Sequence, residues 1–155
     1  MARNSHWTRT EGLRRVAGVA SFLIMAACGA LVSGQFRDQY IHATPPAIFV
    51  ACACSSLISG GLGWWFAGIY VRSPNVAVVA FPVAVPILTT ATAAILYIAV
   101  QPVFRGGEYW TGVSSHVGNL LVYMTGYLTS SAIIWLPAFL ATAVLLRRAI
   151  ARRGR

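Results

Sequence analysis

Hydrophobic and polar positions along the chain separate into four long uncharged runs and five short charged borders. Residues 16–36, 39–71, 73–104 and 109–146 contain no Asp, Glu, Lys or Arg. A helix rises about 1.5 Å per residue, so about 20 apolar residues cross a hydrocarbon core of about 30 Å. Each run holds one crossing and is too short for two. The pattern predicts spans near 14–34, 46–70, 77–100 and 118–146, with polar tails at 1–13 and 147–155.

Helices are the expected form, because backbone amides in lipid must be satisfied within their own segment. Residues 16–25 (Val-Ala-Gly-Val-Ala-Ser-Phe-Leu-Ile-Met) are apolar on every side. A barrel strand would alternate polar and apolar residues. The expected fold is all-α: four transmembrane helices in an up-down bundle, forming a single membrane domain.

The charges that remain decide sidedness. All 12 basic residues are arginines, against three acids, and the net charge is +9. Arg3, Arg9, Arg14 and Arg15 precede the first run, Arg72 follows the second, and Arg147, Arg148, Arg152, Arg153 and Arg155 follow the fourth. Only Arg37 and Arg105 fall on the opposite side. Positive residues stay cytoplasmic, so both termini are expected inside. The excess is a topology signal, and nucleic acid is not an expected partner. Arginine without lysine, together with 24 alanines, points to a GC-rich genome and hence a bacterial plasma membrane. Cleavage of the first run as a signal peptide is disfavoured. The stretch 16–33 exceeds the usual apolar core of such peptides, which is about 7–15 residues.

Within lipid, small residues mark helix contacts. The spacing offers Ala26, Ala30 and Gly34 in span one, Ser59, Gly63 and Ala67 in span two, and Gly118, Gly126 and Ser130 in span four. Pro82, Pro86 and Pro137 each remove a backbone donor and predict helix bends. Thr89, Thr90 and Thr92 are placed to satisfy the freed carbonyls. Thr125, Tyr127, Thr129, Ser130 and Ser131 form the deepest polar patch, suited to interhelical hydrogen bonds. The Trp and Tyr residues fit interfacial belts, with Trp64, Trp65 and Tyr70 toward the inner side and Trp135 packed deeper.

The four uncharged runs hold no carboxylate, lysine or arginine that would mark a proton or ion path. Candidate chemistry therefore sits in the outer loops, 35–46 and 105–116. There Asp38, His42, Glu108 and His116 share one face and offer a weak metal or acid–base set. Their spacing matches no known ligand pattern, and pairing of Arg37 with Asp38 and of Arg105 with Glu108 is the expected use of these charges. Cys28, Cys52 and Cys54 are expected as free buried thiols, with a Cys28–Cys52 or Cys28–Cys54 disulfide as the alternative. No catalytic, cofactor or metal motif is present, and no cofactor is expected.

The expected function is that of a small non-enzymatic membrane protein acting through helix contacts. It would serve as an accessory or assembly subunit of a membrane complex, or as an immunity-type partner. Its partners are then the bilayer and other membrane subunits or itself. A small oligomeric transporter for a neutral or lipid-like substrate is the first alternative. An outer-face enzyme using Asp38, His42, Glu108 and His116 is the second.

Overall fold

In the computed structural model the described residues are 3–39, 45–72, 74–105 and 113–152. They form four helices: α1 (Arg3–Gln39), α2 (Pro45–Arg72), α3 (Pro74–Arg105) and α4 (Val113–Ala151). All four are long and apolar enough to cross a membrane. The apolar stretches run Glu11–Gln35, Pro46–Ile69, Val78–Val100 and Leu121–Ala151.

α1 extends beyond its uncharged run at both ends and α4 at its C-terminal end, because polar flanks can continue the same hydrogen-bond ladder. Two expected loops are shortened. Residues 35–39, including Arg37 and Asp38, are the last turn of α1 rather than loop. Ser114, Ser115 and His116 open α4. Prolines set two starts: Pro45 begins α2 and Pro74 begins α3, where the missing N–H has no intrahelical partner to lose.

Each helix packs on its chain neighbours, α4 also packs on α1, and the two diagonal pairs barely touch. Ring pairs show that α3 and α4 run in opposite directions. Phe81 meets Phe139 edge-on at 5.5 Å, and Tyr97 meets Tyr123 edge-on at 4.9 Å. The α1–α2 seam has the same sense: Gly29 lies against Cys52, and Gly18 against Gly60 and Trp64.

The core is a continuous cluster that includes Leu13, Met25, Cys28, Phe81, Val85, Phe139 and Leu146. Phe81, Phe139, Met25, Val85, Thr89 and Thr90 are fully buried, so the middle of the helix group is filled with side chains. A smaller cluster of Ala47, Ala51 and Tyr97 closes the opposite end. Large apolar side chains such as Phe49, Val79 and Ile133 face outward. A bilayer is the solvent that this surface suits.

Candidate functional site

Among the glycines described, the tightest contacts lie in the α1–α2 seam. A Cβ added at Gly63 would lie 2.7 Å from the Ala17 carbonyl oxygen and 2.7 Å from Ser21 Cβ, and it would also collide with Ser21 Oγ. A Cβ at Gly18 would lie 3.0 Å from the Gly60 carbonyl oxygen, and one at Gly29 would lie 2.9 Å from Cys52 Cβ. Ser59 donates to the Ser21 carbonyl at 3.2 Å across this seam. The Ser21 hydroxyl fills the space beside Gly63 and has no hydrogen-bond partner.

The residues expected to pack divide by helix. Ser59, Gly63 and Ala67 are buried. On α1, Ala26 is half-buried, while Ala30 and Gly34 face outward, and nothing lies within 4 Å of a Cβ placed on Gly34. The stripe of α1 that meets α2 is instead Ala17, Gly18, Ser21 and Gly29. On α4, Gly118 is exposed with open space around it, and Gly126 and Ser130 are half-buried.

The prolines sit within continuous helix. α3 runs through Pro82 and Pro86, both buried, and α4 runs through Pro137, which is exposed. The threonines do not serve the freed carbonyls, which belong to Val78 and Pro82 four residues before each proline. Thr90 donates to the Pro86 carbonyl at 2.7 Å, and Thr92 to that of Leu88 at 2.8 Å. Thr89 is fully buried with an unpartnered hydroxyl. For Thr90 and Thr92 the reason is local: a helical threonine reaches the carbonyl of its own preceding turn before any other acceptor.

The polar patch of α4 divides in the same way. Thr129 donates to the Thr125 carbonyl at 2.7 Å and Ser131 to that of Tyr127, both within the helix. Only Tyr127 reaches another helix by a hydroxyl–carbonyl contact, a long one of 3.4 Å to Met25. Ser131 also lies in hydrogen-bonding reach of the Cys28 thiol. Trp135 turns inward and donates Nε1–H to the Leu128 carbonyl at 3.0 Å. Cys28, Cys52 and Cys54 are free thiols.

Of the outer-face set, His42 and Glu108 lie outside the described residues. Asp38 and His116 are placed only as helical backbone, on α1 and α4. Among the described residues no group of three metal-ligating side chains converges.

The sequence reading missed one arrangement. Arg14 on α1 and Trp64, Trp65, Gly68 and Ile69 on α2 enclose a cleft of about 200 Å³. The Arg14 guanidinium carbon lies 4.9 Å from the Trp64 ring centre. Gly68 leaves room for it, since a Cβ there would lie 2.8 Å from an Arg14 terminal nitrogen. Arg14 Nε is buried and has no hydrogen-bond partner. The ion pair seen among the described residues joins Arg15 to Glu11 at 2.7 Å and leaves Arg14 without a carboxylate.

No protein family, curated protein or solved structure matches the chain.

Proposed function

We propose that this is a non-enzymatic multi-pass membrane protein that works by holding another membrane helix against α4. In this reading the four helices run up and down across a bacterial plasma membrane with both termini cytoplasmic. The chain thereby serves as an accessory or assembly subunit of a larger membrane complex or as an immunity-type partner, and the occupant of the α4 face is another membrane subunit or a second copy of the chain.

The observation that carries the reading is the outward face of α4 around Pro137. Proline has no N–H, so the Ile133 carbonyl loses its ordinary helical donor. Ile133 is 81% exposed and Pro137 is exposed as well, so this acceptor lies on an outward face. An unsatisfied backbone group in hydrocarbon costs several kcal/mol, and neighbouring helices commonly supply the missing donor. Pro82 and Pro86, by contrast, are buried within the chain's own packing. The apolar stretch of α4 is also the least enclosed, 17% buried against 39%, 33% and 39% for α1, α2 and α3.

The filled interior favours this reading over transport through a single chain. Phe81, Phe139, Met25 and Val85 occupy the place where a path would run. Blue-native electrophoresis of the endogenous protein after gentle extraction tests the proposal. The expected result is a species heavier than the monomer that is lost in Pro137→Ala, which restores the backbone donor. Migration of the wild type as a lone monomer overturns it.

A further inference from the structure

We propose that the Arg14–Trp64 cleft binds the phosphate of an anionic phospholipid headgroup. The inference rests on the reading that the four helices lie in a bilayer, and it concerns a different face from α4. An arginine that only marks topology points its guanidinium into water. Arg14 instead has its Nε buried between two helices and lacks a partner there. The nearest described acid, Glu11, is held by Arg15. The cleft thus presents a cation that is paired with no carboxylate among the described residues.

The site lies at the right depth for a headgroup. Arg14 is near the start of the apolar stretch Glu11–Gln35, and Trp64 to Ile69 close the stretch Pro46–Ile69. Tryptophan concentrates at this interfacial level. Trp64 lies beside the guanidinium, and Trp65 stands exposed next to it. Trp64 would fix the plane of the guanidinium, so that its two terminal nitrogens can address two phosphate oxygens together, the buried Nε being closed to a ligand. Leu13 belongs to the same core cluster as Leu146, with Ala149 and Ile150 packed against it, so the last turns of α4 lie at this end. Arg147, Arg148 and Arg152 are exposed there and add a positive field that favours a net-negative lipid.

The test titrates full-length, detergent-solubilised protein with dihexanoyl-phosphatidylglycerol and follows the Arg14 Nε–H resonance, identified by its disappearance in Arg14→Gln. Inorganic phosphate and dihexanoyl-phosphatidylcholine are titrated in parallel. We expect a saturable shift of this resonance as phosphatidylglycerol engages the terminal nitrogens, and a much weaker response to the other two. Native mass spectrometry should show about tenfold weaker phosphatidylglycerol retention in Arg14→Gln, the loss expected for one charge-assisted contact. Gly68→Ala, which crowds the guanidinium, should weaken it in the same direction. Arg152→Gln should stay within about twofold, because exposed charge is screened. An unmoved Arg14 resonance, equal losses in Arg14→Gln and Arg152→Gln, or an equal shift from inorganic phosphate would each overturn the proposal. Carbonate extraction reports membrane insertion separately, so failure at the cleft and failure of the membrane reading are distinguishable.

Discussion

Replacing Gly63 with alanine perturbs the tightest of the described glycine contacts. The new Cβ would sit 2.7 Å from the Ala17 carbonyl oxygen, and ordinary contact begins at 3.4 Å, so α1 and α2 must part by about 0.7 Å. A gap of about 0.5–1 Å forfeits a quarter to a half of each dispersion contact along the seam. The obstacle is partly backbone, which cannot rotate away, and overpacking of this kind costs about 1–3 kcal/mol. Alanine also recovers up to about 1 kcal/mol of helix propensity. Gly34→Ala isolates that second effect, because its Cβ meets nothing within 4 Å. Unfolding by SDS titration in mixed micelles should therefore show Gly63→Ala less stable than wild type and Gly34→Ala equal or slightly more stable. Ser21→Ala should recover part of the Gly63→Ala loss, since the hydroxyl that collides with the new Cβ is then gone. A coupling above about 0.5 kcal/mol in that double-mutant cycle marks direct contact. Equal stability of Gly63→Ala and Gly34→Ala would refute the seam as the tight point.

Three further outcomes follow from the packing. Thr89→Val removes a buried hydroxyl with no partner at nearly constant shape, so it should be neutral or stabilising by up to about 1 kcal/mol in the same titration. Phe139→Ala empties the core beside Phe81 and should cost about 1–3 kcal/mol. On the proposal that the helices lie in a bilayer, this is smaller than in a soluble core because separated helices remain in apolar surroundings. For the set Asp38, His42, Glu108 and His116, purified wild type and the His42→Ala/His116→Ala variant should carry the same zinc at saturation, and a deficit in the variant would support a metal site there.

The existence and placement of the four long apolar helices were legible because each follows an uncharged run of the sequence. The contact faces were only partly legible. In a soluble helix one apolar stripe faces the core, whereas here every side is apolar and hydropathy selects none. Span one carries two small-residue stripes, and spacing alone pointed to Ala26, Ala30 and Gly34. The stripe that packs contains Gly18 and Ser21, which oppose Gly60 and Gly63 across the seam. That choice depends on a matching of two helices that neither shows by itself. The Arg14 cleft escaped notice for a related reason, because Arg14 reads as a topology charge and Trp64 as part of a belt. Their pairing follows from antiparallel packing, with Gly68 one turn beyond Trp64 as the local sign that a bulky side chain crosses there.

The central claim, that α4 seats another helix on its outward face, is tested most directly by site-specific photo-crosslinking in intact cells. A benzophenone side chain is placed in turn at the positions of Ile133, Leu140, Leu57 and Val79, all of them exposed. The account predicts a discrete protein adduct from Ile133 and Leu140 on α4, and none from Leu57 on α2 or Val79 on α3. Protein adducts absent from all four positions, or distributed evenly among them, would contradict it.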